Sequence, residues 1–317
     1  MRVQLAEIGI DLAILVADRV TVVRRITAHW RWGFERLRPH RLMVLSMFVL
    51  LLLATLALVG PLAWSASPDT VPLADIGSGN APFSGAHPLG TDQLGHDTLA
   101  RLLSGLRVSF EVVILVEAIN VTLGVALGLL SGYCRGWVDG VLGRVCDILM
   151  AFPGILLAIL LVGTFGNQTD GLMGGTGRLM LTAAAIALVS WPLTARYVRG
   201  MAMGLREQEY VEAARAQGAG TVRIILTHIL PNIAGMIMVL GSMDAMAVVA
   251  NEATLSLLGL GVQPPHSSIG LMISEAKDQL DTAPAQVFVP CAMIVALVLT
   301  FAFMSDGMRD MLDPRGH

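Results

Sequence analysis

The sequence predicts an all-α integral membrane protein of about six spans, and three observations predict it. Of its 317 residues, 55% are hydrophobic and only 14% are charged, with a mean hydropathy of +0.69. A soluble domain carries roughly a quarter charged residues, and one soluble core cannot hide this apolar excess. Several runs approach or exceed the roughly 20 apolar residues that a helix needs to cross a bilayer. Arg and Lys are distributed one-sidedly over the segments between those runs.

The runs can be taken in chain order. Residues 42–60 carry no charge and end at Pro61, which reads as a stop. A second uncharged run covers 118–134 and extends upstream through 112–116. The third, 148–165, is interrupted by Pro153, and the fourth, 179–195, has Pro192 near its end. The fifth, 233–258, contains Asp244 and Glu252, and the sixth is 287–304. Proline inside a span is tolerated where neighbours satisfy the freed carbonyl. With the N-terminus inside, 17 of the 21 basic residues fall in inner segments, leaving only Arg101, Arg107, Arg178 and Lys277 outside. The positive-inside rule then puts both termini in the cytoplasm.

Residues 1–41 read as a cytoplasmic extension. Glu7, Asp11 and Asp18 interrupt its apolar stretch and no small-residue cleavage site follows, unlike a cleaved leader. Leu5, Ile8, Leu12, Leu15 and Val16 share a helical face, with a basic run from Arg24 to Arg41 beyond. Two readings fit: a helix lying on the inner leaflet, or a cytoplasmic tail with a basic stop. The remaining divisions are an outer loop over 61–107, a transmembrane core over 108–305 containing a cytoplasmic loop at 200–231, and a cytoplasmic tail over 306–317. Gly124, Gly128, Gly132, Gly136 and Gly140 recur every four residues. Such a stripe lets another backbone approach closely, either within the chain or in a second subunit.

The same sequence excludes several function classes. A net charge of −3 and a pI near 6.1 argue against nucleic-acid binding. Cys134, Cys146 and Cys291 form no disulfide framework or zinc spacing. The only lysine, Lys277, does not close a phosphate-cradling GxxxxGK[ST] loop, and neither HExxH nor GxSxG occurs. The chain therefore reads as not an enzyme, and any nucleotide work falls to a partner. His87, Asp92, His96 and Asp97 cluster in the outer loop, but no spacing among them selects a metal. Neither a metal nor a cofactor is expected.

The cytoplasmic loop carries the most distinctive pattern. Glu207-Gln208-Glu209-Tyr210-Val211-Glu212-Ala213-Ala214-Arg215-Ala216-Gln217-Gly218 combines good helix formers with acids placed early. Gly218 and Gly220 supply a stop that allows positive φ. The loop ends at His228-Ile229-Leu230-Pro231. A short horizontal helix of this kind can hand rigid-body motion from a soluble partner to the spans; it can also be a plain amphipathic connector.

Glu212-Ala213-Ala214, Gly218 and Leu230-Pro231 resemble the EAA loop of bacterial ABC-importer permeases. Three further stretches resemble the second, C-type permease subunit of the dipeptide/oligopeptide/nickel import family. They are His87-Pro88-Leu89-Gly90-Thr91-Asp92-Gln93-Leu94-Gly95 with Asp97 and Ser104-Gly105, the run from Glu252-Ala253-Thr254 to Gly261, and Asp306-Gly307-Met308-Arg309-Asp310 with Leu312-Asp313-Pro314-Arg315. The likeness runs from about residue 40 to the end. His96 departs from the family's usual arginine, His228 from the broader pattern's isoleucine, and residues 301–305 from a run containing Asn and Gly.

What the resemblance implies is a type I (MetI-like) permease fold in a bacterial cell membrane. It also implies a heterodimer with a homologous permease, two cytoplasmic ATP-binding subunits, and an extracytoplasmic substrate-binding protein. Glu209, Tyr210, Glu212, Ala213, Ala214 and Gly218 are the expected ATPase-coupling residues, with Glu212 either docking in the ATPase or anchoring the loop to its own subunit. Peptides are the expected cargo, with nickel or metal chelates as the alternative in the same family. Asp244, nearest the middle of a span, is an expected pathway residue, because intramembrane ionisable groups usually face an interior or a watery cavity. Glu117 and Glu111 are weaker candidates, and Glu111 and Glu252 also read as residues solvated at the membrane edge. An ion-coupled secondary transporter is a different-class alternative, but the internal repeat such proteins commonly show is not visible.

Overall fold

The computed structural model describes residues 41–64, 66–71, 77, 79–173, 175–263 and 266–312. The expectations for residues 1–40 and 313–317 lie outside the described residues. Among the described residues the fold is helical, with one isolated bridge between Thr91 and Asp97. Five helices are long and apolar enough to cross a membrane, or six if one bent pair counts as a span.

Helix α1 (Arg41–Ala63) runs two residues past Pro61, which is not its stop. A proline so near a helix end removes one backbone bond and leaves the turn otherwise intact. Leu51, Leu58 and Leu62 are all more than 60% exposed, the surface that a lipid-facing helix presents. Helix α2 (Thr98–Ile119) begins inside what reads as the outer loop. Asp97 caps it, accepting from the Ala100 N–H at 2.7 Å. Arg101 and Arg107, which hydropathy counts as loop residues, are neutralised by Asp92 with Glu275 and by Glu111. The chain continues through a wide π-turn (Asn120–Val125) into α3 (Ala126–Cys134), so the span covers Thr98–Cys134.

The expected third span is two helices. Helix α4 (Gly136–Met150) and α5 (Gly154–Met173) meet at 77° across the break that holds Pro153. Helix α6 (Gly175–Arg206) passes straight through Pro192 and reaches well into the expected loop. After α7 (Glu209–Ala216) and α8 (Thr221–Ile224), a second π-turn (Ile225–Ile229) leads into α9 (Leu230–Leu257). Asp244 and Glu252 do not break α9, because both are partnered by side chains. Ser268 caps α10 (Ile269–Ala276), and α11 (Pro284–Leu312) carries helix into the expected tail.

Helix α6 is the hub: α2, α3, α4, α5 and α9 all pack against it, while α1 and α11 flank the group. Leu106, Val112 and Val116 of α2, Val162 of α5, Ile186 of α6, Val248 and Val249 of α9 and Leu297 of α11 form the main buried core. The glycine stripe is resolved by this packing. A Cβ on Gly128 would lie 2.6 Å from the Ala195 carbonyl oxygen, and one on Gly132 2.6 Å from that of Arg199. Gly124 is similarly tight against Thr194. These three serve the close contact of α3 and the π-turn before it with α6, whereas Gly136 and Gly140 face open space.

Candidate coupling and pathway sites

A second buried cluster lies at one end of the bundle. Leu129 and Tyr133 of α3 meet Val198 and Ala202 of α6, Ile224 of α8, Ile225 and Ile229 after it, and Val211 of α7. The start of α1 and the end of α11 lie at this same end, since Gly307 backs onto Met43 and Gly235 onto Leu312. An eight-residue helix is not stable alone in water. Val211, the only buried residue of α7 and 0% exposed, pins it to this cluster. Sequence reading passed over Val211, although it is the one β-branched residue in a run of acids and alanines.

Most of the expected coupling residues lie at the surface of the bundle. Glu209, Tyr210, Glu212 and Ala213 are exposed, and Ala214 is half-buried against the cluster. Among the described residues the Glu212 carboxylate makes no ion pair or hydrogen bond, whereas Glu207 pairs with Arg135 at 2.5 Å. Gly218 ends the turn at φ +83°, a conformation open to glycine and costly for other residues. Gly220 does not share this role; with φ −69° it precedes α8 as an ordinary extended residue. The Tyr210 ring lies 6.3 Å from that of His228, a residue of the second π-turn.

The structure brings two of the three expected pathway carboxylates together. Glu117 of α2 and Asp244 of α9 lie side by side. The Asn120 amide, only 1% exposed, donates to Asp244 and, at 2.9 Å, to Ser190 of α6. Glu117 Oε1 is buried with no partner. The polar group thus joins three helices at the first π-turn, and such wide turns are frequent at functional sites. Asn120 and Ser190 escaped the sequence reading because single neutral polar residues do not stand out in an apolar run. Glu111 stays apart, paired with Arg107 at 2.9 Å on its own helix. Glu252 is not at a solvated edge: it is 1% exposed and accepts from Ser256 at 2.8 Å and from Ser109.

The opposite end of the bundle holds the loop before α2 and helix α10. Its four clustered residues form two separate pairs, His87 with Asp97 at 2.8 Å and His96 with Asp92 at 2.9 Å. Arg101 bridges Asp92 and Glu275, tying the loop to α10. Burial of Asp92 opposes its charged form, but Arg101 and His96 outweigh that and hold its carboxyl below the usual value.

Residues 124–316 match the family model described as binding-protein-dependent transport system inner membrane component. The chain belongs to this family. It is 38% identical to the glutathione transport system permease protein GsiD of Pectobacterium atrosepticum, over 92% of this chain and 93% of that protein. It is 34% identical to the dipeptide transport system permease protein DppC of Alkalihalophilus pseudofirmus, over 90% of each. Among solved structures, inward-facing conformations of the MetNI methionine ABC transporter match with a TM-score of 0.53 at 18% identity, over 67% of this chain and 97% of that one. That likeness concerns the fold, which is the type I permease fold. The chain is a multi-pass membrane permease subunit of an ABC importer.

Proposed function

We propose that the chain is the passive gate of an importer for short peptides, moved by two cytoplasmic ATPases through α7 and supplied from outside by a binding protein. One observation carries this reading. Helix α7 is held by the single buried side chain Val211 while Glu209, Tyr210, Glu212 and Ala213 stay free at the bundle surface. A helix pinned on one face and open on the other is suited to sit in a cleft of a moving partner. The unpaired state of Glu212 favours docking over anchorage within the subunit. Closure of the ATPases on ATP drives the spans outward-open, and hydrolysis resets them.

The α7 end is then cytoplasmic, supported by the arginine distribution and by the start of α1 and end of α11 lying there. A homologous second permease completes the pathway in the inner membrane of a bacterium. The names of the relatives, glutathione and dipeptide transport permeases, support peptides as the cargo. Glu117 and Asp244 line the path, with Asn120 holding Asp244 in place, and their carboxylates attract the peptide ammonium group.

The test of coupling is Gly218→Asp in the assembled importer. Uptake is expected to vanish while peptide binding by the external protein is unchanged; normal uptake contradicts the role of α7. The test of cargo is competition: dipeptides and glutathione block uptake, and a nickel chelate does not.

A further inference from the structure

We propose that Tyr133 is the positioning residue through which α7 moves the spans, gripped by Arg215 of α7 and Arg206 of α6. The inference rests on α7 being the coupling helix and names the contact by which its motion leaves it.

The Tyr133 side chain stands on the last turn of α3 and is 7% exposed. The guanidinium carbons of Arg206 and Arg215 lie 5.6 and 5.7 Å from its ring centroid, within the range of cation–π attraction. Arg206 also donates to the Tyr133 carbonyl oxygen at 2.7 Å. Arg215 is otherwise exposed, so its contact with this ring is a polar link between α7 and a span. Val211 seats α7 by non-directional apolar packing, and a cation over a ring adds a directional hold that resists displacement from the ring face. The Tyr133 hydroxyl makes no hydrogen bond among the described residues, so the ring face alone serves the link.

What the ring receives, the rest of α3 is built to pass on. Gly128 and Gly132 leave α3 no slack against α6, so the two helices move together. Ser131, two residues before Tyr133, donates to Asp139 of α4 at 2.5 Å. Asp139 is also held by Arg199 of α6 at 2.5 and 2.7 Å. Displacement of α7 therefore reaches α3, α6 and α4 as one unit, on the inner side of the bend at Pro153.

The test uses the complete importer in proteoliposomes: this chain, its partner permease, both ATPases and the binding protein. Two quantities are read: labelled glutathione or dialanine taken up per ATP hydrolysed, and the ATP-induced change in maleimide labelling of Cys134, the exposed residue after Tyr133. Tyr133→Phe is expected to stay within about twofold of the unaltered importer, since the ring quadrupole remains. Tyr133→Leu and Arg215→Gln are expected to lose about tenfold in both, with assembly and ATP hydrolysis retained. The double variant falls no further than Arg215→Gln alone. Tyr133→Leu with an unaltered ratio, Phe failing as Leu does, or additive losses in the double variant would each overturn the proposal. If Tyr133→Leu fails to assemble, Arg215→Gln on its exposed helix decides. Gly218→Asp separates the two levels: full uptake in that variant refutes the coupling role of α7, while its loss beside an unaffected Arg215→Gln refutes the Tyr133 link alone.

Discussion

Replacing Val211 by Ala truncates the one buried side chain of α7. The valine is 0% exposed and is the only buried residue of that helix. Truncation removes two buried carbons, worth about 0.8 kcal/mol each in transfer. The cavity left against Tyr133, Val198 and Ile224 raises the total to about 2 kcal/mol. The rest of α7 gives little to offset this, since an eight-residue helix has almost no stability of its own. Two kcal/mol shifts the balance between seated and released α7 about thirtyfold toward release, at a factor of ten per 1.4 kcal/mol. Hydrogen exchange reads this directly. The amides of α7 are expected to lose about thirtyfold in protection, while those of α9, in the main core, are unchanged. ATP-driven uptake falls with them, and basal hydrolysis by the ATPases persists. Unchanged protection of α7 in this variant would refute the idea that Val211 pins it.

Three further outcomes follow from other parts of the structure. Gly128→Leu cannot be accommodated, because even a Cβ there would lie 2.6 Å from the Ala195 carbonyl oxygen; the variant is expected to lose about 3 kcal/mol and to be degraded in the membrane, measured as protein level. Asp92→Asn is expected to cost about 1–2 kcal/mol at pH 7, since its charge-assisted bonds to Arg101 and His96 are lost. The Asp92 pKa is lowered from 3.8, so its stabilisation is present above that value and disappears only as pH falls through the still lower folded value. Thermal stability should therefore show no contribution from Asp92 to any change between pH 7 and 5, and the gap to the variant should close only below about pH 4. Asp244→Asn and Glu117→Gln should each reduce peptide uptake about tenfold or more without altering assembly, and unchanged kinetics in both would remove this pair from the path.

The parts legible in the sequence are those where composition alone decides. A charge-free run such as that in α1 has one stable solution in a bilayer, so its existence and approximate position follow directly. Helix ends were misplaced wherever a tertiary partner altered the local rule. Arg101 and Arg107 look like loop until Asp92, Glu275 and Glu111 neutralise them. Pro61 looks like a stop, yet it lies inside a helix as Pro192 and Pro290 do, whereas Pro153 lies in a break. The difference is made by the packing of neighbouring helices, which a single sequence does not carry. In the loop between α6 and α9, the short helix and the turn at Gly218 were readable because helix propensity and turn chemistry are local. Val211 and Tyr133 were not, because burial and a ring contact depend on α3, α6 and α7 meeting. Likewise Asp244 stood out as a charge in a span, while Asn120 and Ser190, which complete its surroundings, gained meaning only from the crossing of α2, α6 and α9.

On the proposed function, this subunit moves solute only when α7 is driven from outside the chain. Flux in proteoliposomes tests it most directly, comparing the purified chain alone with the full importer under ATP and under an imposed ion gradient. Labelled dipeptide is expected to enter only with the full assembly, ATP and binding protein all present. Gradient-driven entry through the chain alone would contradict it.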